Sequence, residues 1–267
     1  MPIIRYGEPV RVLVSVKGHP FDRSAFGAVF DEMEGVQASI VDQPAAGRLM
    51  NPDAMAGFDA LVLYDMPGLD FRAPEPPRFV EPEPQVRAGF RALLEAGIPV
   101  IALHHAIAGW PAWPEYADWL GGRFLYKPGK LRGQPRLDSG YRHNVAYDVE
   151  AVDLAHPILQ GSPERFPLTD ELYLYEVFEA EVEPLLRARG PSFTREHFFS
   201  AEQAVGGRMF SNEGWEHAPG SELVGWTKRA LASPLVYLQP GDGPATYADP
   251  NWRGLIRNAI HWAAKGG

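Results

Sequence analysis

The sequence predicts an α/β protein built on a doubly wound parallel sheet. Three observations carry that expectation. Short apolar runs rich in β-branched residues recur at Val10–Val16, Val36–Val41, Phe58–Tyr64 and Ile98–Leu103. Segments of helical periodicity follow the first run and precede the fourth. No tight hairpin signal joins these four runs, so the rhythm is that of crossover connections.

Val10–Val16 is a strand, and Gly18 and Pro20 turn the chain after it. Asp22 or Ser24 caps the next helix, Ala25–Glu34, where Phe26, Val29, Phe30 and Met33 fall three and four residues apart. Val36–Val41 and Phe58–Tyr64 are the second and third strands, the third ending in Asp65-Met66-Pro67-Gly68. A proline-rich loop then runs to Val86. Proline blocks helix interiors and central strands, so this stretch is either a rim or lid beside the third strand or a stiff surface excursion. Val86–Ala96 is a helix and Ile98–Leu103 the next strand.

After Leu120-Gly121-Gly122 the rhythm changes. Residues 124–144 form a glycine/proline-rich insertion carrying Lys127, Lys130, Arg132 and Arg136. Strands are expected at Val145–Ala151, Leu172–Phe178, Val182–Ala188 and Leu235–Gln239. Pro240-Gly241-Asp242-Gly243-Pro244 is a turn. Asn251–Ala264 is an amphipathic helix, with Asp249 as its cap and Pro250 at the first position. There is no internal repeat, and 1–267 reads as one domain.

The 267 residues are 45% hydrophobic and 22% charged, which suits a large folded core. The formal net charge of -9 disfavours nucleic acid and anionic membranes as partners. The absence of cysteine excludes disulfides, thiolate zinc sites and cysteine nucleophiles. No apolar run approaches the roughly 20 residues of a membrane helix, and the N-terminus lacks the pattern of a signal peptide. The expectation is a cytoplasmic protein. A homo-oligomer is expected only on base rates.

The chemistry concentrates where strands end. Ligands of open α/β sheets bind outside the carboxyl ends of the strands. His104 and His105 follow the fourth strand at a strand-to-helix elbow. Histidine suits acid–base work because its reference pKa is about 6.5. His19 follows the first strand, so its loop opens on the same edge. Asp65 ends the third strand and would orient a histidine or bind a hydroxyl, or else it only shapes the turn before Met66-Pro67-Gly68. Glu171 and Tyr173, two residues apart on a strand, face one side, and a carboxylate with a phenol suits a polyol. His156, before Pro157, is expected to act with them. For each of these residues the structural alternative is a hydrogen-bonded core or turn residue.

Trp110, Trp113 and Trp119 either stack on sugar rings or pack the core. No spacing motif for zinc is present, although a divalent metal held by His19, one elbow histidine and an acid stays open. No G-x-S-x-G, P-loop or dinucleotide fingerprint occurs, so no nucleotide cofactor is expected.

Taken together, the segments resemble the trehalose-utilization (ThuA-like) family. The matching pieces are Gly18-His19-Pro20-Phe21, Leu103-His104-His105-Ala106 and the stretch from Tyr116 through Gly121-Gly122 to Phe124. His156-Pro157-Ile158, Asp170-Glu171-Leu172-Tyr173, Val236 to Gly241 and Ala259 to Ala263 follow in order. The resemblance implies a flavodoxin-like core of the class I glutamine amidotransferase type. In those enzymes the elbow holds a cysteine. Here it holds His104, so glutamine hydrolysis through a thioester is excluded. The resemblance further implies sugar catabolism, on a disaccharide or a 3-keto-glycoside formed by a partner dehydrogenase. The enzyme would be a hydrolase, lyase or isomerase, with His104 or His105 as the base, His19 polarising the substrate oxygen and Glu171 with Tyr173 holding hydroxyls. The alternative is a non-catalytic sugar-binding or scaffold protein. Many relatives read Gly-His after the last core strand; here Asp242 follows Gly241, so a carboxylate replaces that histidine.

Overall fold

Every side chain of Ala60–Asp65 and Val100–Leu103 is buried, as expected of strands covered on both faces. These are the third and fourth strands of a large sheet in the computed structural model, which describes residues 8–267. The main strands are β1 (Val10–Lys17), β2 (Val36–Asp42), β3 (Ala60–Asp65), β4 (Val100–Leu103) and β5 (Gly140–Ala151). They continue as β6 (Arg165–Leu174), β7 (Glu183–Arg189), β8 (Leu223–Ala230) and β9 (Ser233–Leu238). The order across the sheet is β6-β5-β7-β8-β9-β4-β3-β1-β2. Neighbours from β9 to β2 are parallel. Those from β6 to β9 are antiparallel. The parallel half therefore has the flavodoxin-like order, with β9 as its fifth strand.

The longer helices are α1 (Arg23–Asp31), α2 (Pro84–Glu95), α3 (Pro114–Leu120) and α4 (Pro250–Ala264). Strand alternation divides the core between them. Val12, Val14 and Val16 of β1 pack with Phe26 and Phe30 of α1 and with Trp252, Leu255 and Ile260 of α4. Leu13, on the opposite face, packs with Leu93 and Leu94 of α2. Helices on both faces make the sheet doubly wound, as the strand rhythm predicts. Asp22 caps α1, its carboxylate accepting from the Ala25 N–H, and Asp249 caps α4.

The departures from expectation have local causes. β5 starts at Gly140, inside the stretch read as irregular. It passes through a register shift between Arg142 and Val145, where Asn144 adopts φ +54°. The bulge breaks the alternation by which strands are recognised. β6 begins at Arg165 and ends at Leu174, so the expected strand Leu172–Phe178 is the tail of one strand and a separate bridge, Glu176–Val177. β8 was not foreseen: Gly225 interrupts its apolar run and Lys228 and Arg229 end it. The proline-rich loop holds a small hairpin of Leu69–Asp70 with Arg78–Phe79. Trp113 and Trp119 are buried with Phe90 and Tyr116, which makes them core residues.

Candidate functional site at the β4 elbow

β4 stops at Leu103, and His104 takes φ +46°, a left-handed conformation that is uncommon outside glycine. Such strain persists where surrounding contacts enforce it. Tyr237 donates from its hydroxyl to the His104 carbonyl at 2.8 Å and holds the turn. The His104 imidazole is fully buried. Its Nδ1–H donates to the Gln239 carbonyl at 2.6 Å, which fixes the ring and leaves Nε2 for chemistry.

Three groups meet at that nitrogen. Tyr173 Oη lies 2.8 Å away, Glu171 Oε2 3.1 Å and Asp242 Oδ1 3.4 Å. Glu171 and Tyr173 reach it together because residues two apart on β6 share a face. Asp242 reaches it through Asp170, which points to the other face. The Asp170 carboxylate accepts from the N–H groups of Gly241 (2.6 Å), Asp242 (3.1 Å) and Glu171 (2.9 Å). Gly241 has φ +139°, and a Cβ there would lie 3.0 Å from the Trp252 ring. The turn thus combines a glycine-specific conformation with a buried anchor.

His143 completes the group from the β5 bulge. Its Nδ1 is 3.1 Å from Glu171 Oε1 and 4.0 Å from Asp242 Oδ2. His143, Gln239 and Asp170 were not singled out from sequence as site residues. The register of β5 against β6 is what brings His143 over Glu171, and no local motif encodes that register.

The electrostatics follow from this packing. Burial alone would lower the His104 pKa. Hydrogen bonds and charge from Asp242 and Glu171 outweigh burial and hold it well above the usual histidine value. Burial works to raise Asp242, yet its hydrogen bond to His104 and the neighbouring imidazoles bring it down to about 2. His105 is pushed well below the usual value, by burial first and then by His19 and His104. His19 is lowered too, by burial and then by His104.

The structure brings together His19, His104, Glu171, Tyr173 and Asp242. The His19 ring stacks on His105 at 4.5 Å and lies 6.5 Å from His104. His105 is buried beneath it, with Nε2 donating to the Tyr64 carbonyl at 3.3 Å. Asp65 points elsewhere: Oδ2 accepts from Ser15 Oγ and Gln43 Nε2, both at 2.6 Å, so it does not orient a histidine. His156 lies apart. Its Nδ1 accepts from the Ile158 N–H and its ring packs on Trp262 of α4, a capping and packing role.

Asp242, His143 and His19 form the open side of the cluster, while His104 and Glu171 form its floor. Aromatic groups border it. Tyr141 and Phe210 flank the His143 ring, and Phe210 is 59% exposed. On another side Tyr126 packs against Phe71 of the proline-rich loop. One nitrogen of His104 and one oxygen each of Glu171 and Asp242 lie within 4.8 Å of one another, which is ligand spacing for a cation.

A family model described as trehalose utilisation, ThuA, matches residues 11–263. The chain belongs to the ThuA family. Among solved structures it is similar to a ThuA-like protein of Parabacteroides merdae, with 13% identity and a TM-score of 0.65, covering 97% of this chain and 91% of that one. A ThuA-like protein of Bacteroides uniformis gives 16% identity and a TM-score of 0.60, covering 98% and 95%. A protein of Thermoplasma acidophilum described as a GMP synthase subunit gives 11% identity and a TM-score of 0.51, covering 96% and 95%. These likenesses establish the glutamine amidotransferase-like fold of this ThuA chain. No curated protein matches it in sequence. No helix among the described residues is long and apolar enough to cross a membrane.

Proposed function

We propose that this ThuA chain is a sugar-catabolic enzyme that acts on a disaccharide or 3-keto-glycoside by acid–base chemistry at the β4 elbow. The observation that carries this reading is the meeting of Tyr173, Glu171 and Asp242 around His104 Nε2, all within 3.4 Å. It lies at the carboxyl edge of the sheet, where α/β folds bind ligands. Carboxylates, a phenol and imidazoles bind the hydroxyls of a polyol. The neighbouring aromatic faces suit the apolar face of a pyranose.

The chemistry that fits is proton removal beside a carbonyl. In a 3-keto-glycoside the ketone acidifies the hydrogen on C2. A base takes that proton, the electron pair left on C2 forms the C1=C2 bond, and the C1–O bond to the leaving group breaks. The departing oxygen takes a proton from an acid, and water then adds across the double bond. His19, on the open side and neutral by its lowered pKa, is assigned the base. The His104 centre holds the substrate oxygens, and His105 supports His19 by stacking. A dehydrogenase that oxidises the C3 hydroxyl is the partner this substrate requires.

The test is turnover of a panel of 3-keto-disaccharides and 3-keto-glucosides by the purified protein, followed by NMR. Conversion by wild type, reduced more than about tenfold in His104→Ala, is expected. Binding without any conversion would overturn the enzyme reading and favour a sugar sensor or scaffold.

A further inference from the structure

We infer that His104, Glu171 and Asp242 form a binding site for one divalent transition-metal cation, of the Mn²⁺, Co²⁺ or Zn²⁺ class. The geometry is that of ligands already gathered. Imidazole and carboxylate ligands stand about 2.0–2.2 Å from such ions, so adjacent ligand atoms lie about 3.0–3.5 Å apart. His104 Nε2 is 3.1 Å from Glu171 Oε2 and 3.4 Å from Asp242 Oδ1. The carboxylates come from β6 and the β9–α4 connection, the imidazole from the elbow, so three separate elements converge on one point.

The surroundings are those of a metal ligand rather than of a lone acidic patch. The His104 ring is fully buried, and its other nitrogen is held by the Gln239 carbonyl at 2.6 Å. Metal-ligating histidines are commonly oriented in this way. Gln239 is itself buried and its side-chain amide donates to the Glu171 carbonyl at 2.7 Å, so one residue braces both ligands, His104 through its backbone carbonyl and Glu171 through its side chain. Asp170 anchors the third through the Asp242 N–H. Glu171 keeps a second partner in His143 at 3.1 Å. Asp242 is 27% exposed, which leaves one side of the site open for substrate or water. On binding, the cation takes the place of a proton on Nε2, that proton goes to solvent, and Tyr173 gives up its contact with that nitrogen.

One imidazole with two carboxylates suits borderline cations and gives Mg²⁺, which prefers all-oxygen sites, a weaker hold. At this position the ion would act as a Lewis acid on a substrate carbonyl or hydroxyl oxygen. That role rests on the sugar-enzyme reading above; the binding site does not.

The test loads chelator-treated full-length protein with MnCl₂, CoCl₂, ZnCl₂ or MgCl₂ and reads stoichiometry by calorimetry and elemental analysis. Binding of one Mn²⁺ per chain is expected, weakened at least about tenfold in Asp242→Asn, whose partly exposed side chain puts the fold at little risk. Pulsed electron paramagnetic resonance of the Mn²⁺ protein should show coupling to one imidazole nitrogen, a readout that needs no variant. No stoichiometric binding of any of the three transition metals at about 1 mM, or binding without nitrogen coupling and indifferent to Asp242→Asn, overturns the site. Turnover of keto-sugars that survives chelation would sink the metal's catalytic role and leave the sugar reading standing. Stoichiometric metal with no turnover of any keto-sugar would do the reverse.

Discussion

Asp170 is buried behind the site, and the geometry makes it the anchor of Asp242. The residue is 5% exposed and its carboxylate accepts three backbone N–H groups, two of them from the Gly241-Asp242 turn. In Asp170→Ala those two donors, one buried and one partly buried, lose this acceptor. Each costs about 1–3 kcal/mol when unsatisfied. Against that, removing a buried carboxylate returns part of its desolvation cost, consistent with the upward shift of its pKa by burial. The net expectation is a loss of about 2–4 kcal/mol. Asp170→Asn should fall between. An amide oxygen in the place of Oδ1 still accepts from Glu171 and Asp242, but its NH₂ then faces the Gly241 N–H. The assay is urea denaturation of the three proteins followed by tryptophan fluorescence, since Trp252 packs at Gly241 and donates to the Pro240 carbonyl. A loss below about 1 kcal/mol in Asp170→Ala, with the m-value unchanged, would refute the anchoring argument.

Three further outcomes follow from positions on either side of the site. Burial, against hydrogen bonds from Ser15 and Gln43, raises the Asp65 pKa, so the folded chain keeps this proton at a pH where the unfolded chain has lost it. The group's stabilisation is full below the unfolded value of about 3.9 and is lost as pH rises towards the folded value. Urea melts from pH 4 upward should therefore show Asp65→Asn gaining on wild type as pH increases, and parallel curves would contradict this. Gly18→Ala should lower the melting temperature by several degrees, because φ is +103° and a Cβ would stand 2.3 Å from the Met66 carbonyl oxygen; an unchanged melting temperature would show that the loop holding His19 relaxes freely. His156→Ala should cost about 1 kcal/mol through the lost turn cap while leaving keto-sugar turnover intact, and a collapse of turnover at unchanged stability would return His156 to the site.

How much of this was legible in the sequence depended on whether the determining contact was local. The four parallel strands of the first hundred residues announced themselves through β-branched apolar runs, because strands covered on both faces need no polar side. The elbow was legible because an apolar run ends abruptly in His104-His105. His19 was legible for the same reason, one loop away. Glu171 and Tyr173 were paired correctly on one face by strand period alone. What the sequence hid was long-range register. His143 sits in a bulge whose partner, Glu171, lies on the next strand, and the bulge itself erases the alternation that marks a strand. Gln239 looked like the end of a strand; its carbonyl and amide matter only once β9 lies beside β4. Asp65 ends its strand at the sheet edge as expected, but its side chain turns towards Ser15 on β1, and the period of a strand cannot reveal which neighbour satisfies a buried carboxylate. His156-Pro157-Ile158 pairs with Asp170-Glu171-Leu172-Tyr173 in the family resemblance, but the turn at Pro157 directs His156 towards α4 instead.

Asp242, which follows Gly241 after the last core strand, takes on a physical meaning in this arrangement. A carboxylate there adds a second negative charge beside His104 and Glu171. That charge stabilises a cation at the centre, whether an imidazolium proton or a metal ion.

The measurement that tests the central claim most directly is isotope exchange in D₂O with a 3-keto-glucoside, read by NMR at C2. Proton removal beside the ketone predicts deuterium at C2 in recovered substrate or product with wild-type protein, slowed about 100-fold in His19→Gln. Conversion that leaves C2 fully protiated would contradict proton removal beside the ketone, and exchange that is indifferent to His19→Gln would contradict His19 as its base.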